Sequence, residues 1–182
     1  MEKTNSQYKM VIEICREVFQ KKMKDYGTAW RILRPTSITD QIYIKAQRIR
    51  SIEEKGTAKI DEGIRPEFIG IINYAIMGLI QLDLGSSDQE LGESQTISLY
   101  SRYFDTAMKL MQDKNHDYGE AWRNMRISSY TDLILMKLKR IKQIEDNDGK
   151  TQVSEGVDAN YLDIVNYAVF AIIKIDFENE IN

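Results

Sequence analysis

Two basic pairs offer the clearest chemistry in this chain: Lys45 with Arg48, and Lys137 with Arg140. At i, i+3 on a helix, both cations of a pair face the same way and repel unless an anion lies between them. The anion can be internal, with Asp163, Glu53 and Glu145 as candidates, or it can be a ligand phosphate. A second polar group recurs inside otherwise apolar stretches, at Asn73 and Asn166. A buried amide without partners costs about 1–3 kcal/mol, so each Asn must bond something specific, either a ligand or an opposing helix. Asp163 lies one helical step before Asn166 and shares its face, whereas the first stretch has Gly70 there.

Aromatic residues stand near both sets. Asp25-Tyr26-Gly27-Thr28-Ala29-Trp30-Arg31 returns as Asp117-Tyr118-Gly119-Glu120-Ala121-Trp122-Arg123, an offset of 92 residues. Tyr and Trp there can form a stacking wall for a base. They can equally lock a turn onto a helical body, with Asp25 and Asp117 salt-bridged to Arg31 and Arg123. His116, the one histidine, replaces Lys24 and reads as surface.

The recurrence organises the whole chain. Lys22/Lys114, Arg34/Arg126, Asp40/Asp132, Lys45/Lys137, Arg48/Arg140 and Glu53/Glu145 keep the same offset. After a loop it becomes 93, pairing Glu62 with Glu155, Asn73-Tyr74 with Asn166-Tyr167, and Asp83 with Asp176. Residues 1–83 are thus one repeat, 84–95 a polar linker, and 96–182 the second repeat.

Each repeat reads as three helices. Tyr8–Lys24 is amphipathic and Gly27 breaks it, with Pro35 closing the turn that follows. Ser37-x-x-Asp40 has capping-box form for a second helix ending before Gly56, and 57–63 is a loop. Pro66 opens a third helix, Glu67–Leu82, apolar on nearly all sides. The programme repeats as Thr96–Lys114, a helix capped by Ser129-x-x-Asp132, and Asn160–Asp176. A third helix so apolar needs cover from another unit. The expectation is an all-α bundle in which the two repeats pack face to face about a pseudo-twofold axis.

Composition narrows the function classes. Hydrophobic residues make up 42% and the net charge is −3, which suits a buried core and argues against a general nucleic-acid-coating surface. Cys15 stands alone, so no internal disulfide can form, and it reads as core packing. Neither a signal peptide nor an apolar stretch able to span a bilayer is evident, and the expected location is the cytoplasm. A homo-oligomer is compatible with all of this.

The pattern formed by Lys114, Asp117, Tyr118, Gly119, Trp122, Lys137, Arg140, Asp163, Asn166 and Tyr167 resembles the nucleotide-modification-associated domain family, over nearly the whole chain as two tandem copies. That resemblance implies a link to nucleotide metabolism or DNA-base modification. More distantly, the chain is similar to MazG-type all-α nucleoside triphosphate pyrophosphatases, which hold magnesium on facing acidic pairs. This likeness implies a MazG-like fold, a magnesium ion near Asp163 and Glu155, and, if the protein is an enzyme, pyrophosphohydrolysis. Here, however, the acidic pair becomes Asn160-x-x-Asp163 in one copy and Glu67-x-x-Gly70 in the other.

The expected ligand is therefore a nucleotide or nucleotide-derived small molecule. Lys137 and Arg140 would take phosphate, Asp163 and Asn166 would orient it, and Tyr118 and Trp122 would flank the base. Lys114, Asp117, Arg123 and Glu145 complete the second-copy set, with Lys45, Arg48 and Asn73 as first-copy counterparts. The alternative is a helical scaffold in which these polar residues satisfy one another.

Overall fold

The computed structural model describes residues 1–56 and 63–178, so most of the expected loop at 57–63, with Glu62, lies outside the described residues. Six long helices run in order: α1 Glu2–Tyr26, α2 Pro35–Lys55, α3 Arg65–Leu84, α4 Glu93–Tyr118, α5 Ile127–Asp146 and α6 Val157–Phe177. Short 3-10 turns, Ala29–Ile32 and Ala121–Asn124, follow α1 and α4. There is no strand among the described residues.

Helix starts differ from expectation for a definite reason. Pro35 does not close the preceding turn; it occupies the first turn of α2, where its fixed φ is already helical and its missing N–H costs nothing. The residues flanking α2 and α5 at their starts are Arg34 and Arg126, and neither helix has a side-chain cap, so the capping boxes expected at Ser37 and Ser129 do not form. Asp40 instead pairs with Lys142 at 2.8 Å, and Asp132 lies 3.8 Å from Arg50, which ties α2 to α5 across their exposed edges.

The apolar third helices sit at the centre. α3 packs on α6, α2 on α5, and each second helix on the third helix of its own repeat. Among the described residues α3 alone is long and apolar enough to cross a membrane, and most of that stretch is buried in the bundle. Cys15 is fully buried in the core, and burial pushes its thiol pKa up.

The two repeats are joined by reciprocal hydrogen bonds. Tyr8 donates to Asn166 Oδ1 at 2.6 Å, and its counterpart Tyr100 donates to Asn73 Oδ1 at 2.7 Å. Both amides then donate to first-helix carbonyls, Asn166 to Ala107 at 3.0 Å and Asn73 to Cys15 at 3.2 Å. Likewise Thr39 donates to Glu145 at 2.7 Å and Thr131 to Glu53 at 2.9 Å. Each of these links occurs twice with the repeats exchanged, as a pseudo-twofold requires.

Two predictions arise from this interface. A Cβ on Gly78 would lie 2.9 Å from the Tyr161 ring, where α3 crosses α6. Gly78→Ala is expected to cost about 1–3 kcal/mol by overpacking, read as a lower urea midpoint at unchanged slope. The second concerns Glu53 and Glu145. Burial raises both carboxyl pKa values, against the lowering effect of the threonine hydrogen bonds. A carboxyl raised in the fold binds its proton more tightly there than in the unfolded chain. Its contribution is present in acid and is lost as pH climbs through the raised value. Urea midpoints of the Glu53→Gln/Glu145→Gln chain should therefore gain on the parent as pH rises from about 4 toward neutrality. A constant difference across that range would contradict it.

Candidate functional site

The basic pairs lie on α2 and α5, facing α3 and α6, and the two copies treat them differently. In the first copy Arg48 and Lys45 both turn to Glu67 at the start of α3; Arg48 is hydrogen-bonded to it and the Lys45 ammonium lies 3.5 Å away. The counterpart of Glu67 is Asn160, whose amide donates to the Gly156 carbonyl at 2.7 Å. A neutral amide cannot offset a cation. Arg140 has no carboxylate within salt-bridge distance among the described residues. It lines a cleft of about 500 Å³ with Lys137, Gln143, Lys150, Glu155 and Asn160.

Asp163 lies behind this cleft and is 4% exposed. Lys137 reaches its Oδ2 at 2.7 Å and Lys114 its Oδ1 at 2.6 Å. Asp163 therefore pairs with two lysines, not with Arg140. Desolvation lowers the Lys114 pKa, but the hydrogen bond and charge of Asp163, helped by Tyr167 and Glu155, hold it above its ordinary value. Burial is the main cause raising the Tyr167 phenol, with Asp163 acting in the same direction and Lys114 and Arg140 opposing. Lys114, Arg140, Glu155, Asp163 and Tyr167 are thus one electrostatic neighbourhood.

Magnesium does not fit Asp163 here. Both its oxygens accept from ammonium groups, which repel a divalent cation, and no cluster of three or more acidic, His or Cys ligands occurs among the described residues.

Other expected site residues go elsewhere. Tyr118 is 76% exposed at the end of α4, and Asp117 is exposed beside His116, 3.2 Å away. Trp122 is 6% exposed and stacks on Phe170 with ring centroids 4.2 Å apart, so it belongs to the core rather than to the cleft. Arg123 covers the Trp122 ring and binds Glu120, Glu178, Thr4 and Gln7. The expected Asp117–Arg123 and Asp25–Arg31 salt bridges are not what holds the turns. Gln81 donates to the Arg31 and Leu33 carbonyls, and its counterpart Lys174 donates to the Arg123 carbonyl. Glu145, Asn73 and Asn166 bond across the repeat interface, as described above.

In the first copy the aromatic residues do converge. Phe19, Lys22, Tyr26, Trp30, Lys45 and Tyr74 line a smaller cavity of about 270 Å³, over Gly70 and beside Asn73. The residues not singled out from sequence include Phe19, Gln143, Lys150 and Glu67 in its role as the partner of Arg48. Glu67 was detectable as the residue that Asn160 replaces; Lys150, in the segment before α6, carried no comparable signal.

Fold and site together define an internally duplicated all-helical protein with a cationic cleft in one copy and an aromatic, lysine-bearing cavity in the other. A family model described as nucleotide modification associated domain 1 matches residues 22–82 and again 114–175, and the chain belongs to that family as a tandem duplicate. No curated protein and no solved structure matches the chain.

Proposed function

We propose that this protein binds a nucleotide, or a nucleotide-derived small molecule, in the cleft between α5 and α6. Arg140 and Lys137 take the phosphate, with Lys150 at the rim. One observation carries the reading: Arg140 lines an open cleft and has no carboxylate within salt-bridge distance among the described residues, whereas the equivalent Arg48 is closed onto Glu67. A planar guanidinium with unused donors is suited to bidentate phosphate binding. The cleft volume falls within the roughly 300–1,000 Å³ usual for small-molecule sites. Family membership supports the class of ligand through the association with nucleotide modification.

Hydrolysis in the MazG manner would need carboxylates holding magnesium where this chain presents Lys45, Arg48, Lys137 and Arg140. These cations suit binding of an anionic ligand rather than its hydrolysis. The scaffold reading is favoured at particular positions, since Asn73, Asn166, Glu145 and Arg123 are all satisfied internally.

Thermal denaturation with nucleoside mono- and triphosphates, with and without magnesium, tests the proposal. Ligand at 100 times its dissociation constant should add about 2.7 kcal/mol. No stabilisation by any nucleotide at millimolar concentration would overturn it.

A further inference from the structure

The two copies differ at one other position. Asp163 sits between Lys114 and Lys137, and its counterpart is Gly70, which lines a cavity together with the equivalent Lys22 and Lys45. A Cβ on Gly70 would lie 2.9 Å from Lys45 Cε and 3.1 Å from its ammonium, so the lysine leans over the glycine. Lys22 has no carboxylate within salt-bridge distance among the described residues, and the only acid on Lys45 is Glu67 at 3.5 Å, already shared with Arg48. Among the described residues, the carboxylate that lies between the two lysines in one copy thus has no counterpart in the other. Beside that place lies the 270 Å³ cavity, walled by Phe19, Trp30 and Tyr74, with Tyr26 at its edge.

We propose that this cavity is a second ligand site, separate from the α5–α6 cleft, for a small planar ring carrying one anionic group. The anion, a phosphate or a carboxylate, lies between Lys22 and Lys45 as the Asp163 carboxylate does between Lys114 and Lys137. The ring enters the apolar wall, where offset or edge-on aromatic contacts are favoured. Lys45 already stands 5.8 Å from the Tyr74 ring centroid, so a cation and an aromatic face are presented together. The site does not depend on the nucleotide reading, because none of its residues lines the other cleft.

The test is calorimetric titration of the full chain with phenyl phosphate and with benzoate, using inorganic phosphate and phenol as single-group controls. Phenyl phosphate or benzoate should bind saturably and more tightly than either control, and which of the two binds better identifies the anion. Lys22→Ala should weaken binding roughly tenfold, and the same loss should appear in an Arg140→Gln background, where the α5–α6 cleft no longer takes phosphate. Gly70→Asp places the second copy's carboxylate in the first. It should abolish binding while raising the melting temperature, since both lysines gain a partner. Lys22 is exposed, so its variant carries the test even if Gly70→Asp fails to fold. Ring compounds that bind no better than their controls, or binding unaffected by Lys22→Ala, would overturn the proposal.

Discussion

Asp163→Ala is expected to destabilise the protein by about 3–5 kcal/mol, because it leaves the buried Lys137 ammonium without its counter-charge. For a chain of this length each kcal/mol moves the melting temperature by about 2–4 °C, so the loss should be roughly 6–20 °C. Lys114 contributes little of this: its side chain is half exposed and can turn to water. Asp163→Asn keeps the shape but not the charge and should lie between parent and alanine variant. Asp163→Leu with Lys137→Met removes both buried charges at once and should lose far less than the two single changes added together. Additive losses in that cycle would mean that the pair is not the source of the effect.

The second large effect concerns binding. Arg140→Gln should weaken nucleotide affinity roughly 10- to 150-fold, the equivalent of one charge-assisted hydrogen-bond set worth about 1.5–3 kcal/mol. Stability should stay within about 0.5 kcal/mol of the parent, because Arg140 has no salt-bridge partner among the described residues to lose. The same change in the first copy has the opposite character. Arg48→Gln removes a partner of the nearly buried Glu67, and its cost should appear in stability rather than in binding. Two residues at equivalent positions should thus fail in different assays.

The contrast also shows what could be read from sequence. Three-and-four spacing placed the amphipathic first helices, because burying an apolar stripe leaves the backbone little choice, and all-round apolarity placed α3 and α6. The duplication gave the pairing of the repeats, since α3 and α6 are too apolar to be covered by their own units. The helix starts were less legible. Ser37 and Ser129 have the right spacing for caps, but Pro35 had already begun one helix, and α5 begins two residues before Ser129.

In the site, Lys137 and Arg140 were legible because two like charges on one face demand an anion. Trp122 was not. A short 3-10 turn can present its ring to either side, and only its stacking on Phe170 decides which. The same motif reaches a cavity in the first copy, through Trp30 and Tyr26, because Gly70 leaves room beside them. Glu67 against Asn160 and Gly70 against Asp163 were both visible in the aligned copies. What spacing could not show is that each exchange opens one pocket and closes another.

The central claim is that Arg140 receives phosphate in the α5–α6 cleft. Its most direct test is calorimetric titration of a nucleoside triphosphate and the matching monophosphate into the parent and Arg140→Gln chains. Saturable binding to the parent, weakened at least roughly tenfold in the variant at equal melting temperature, is the result this account predicts. Equal affinity in both chains, or no saturable binding of either nucleotide to the parent at millimolar concentration, would contradict it.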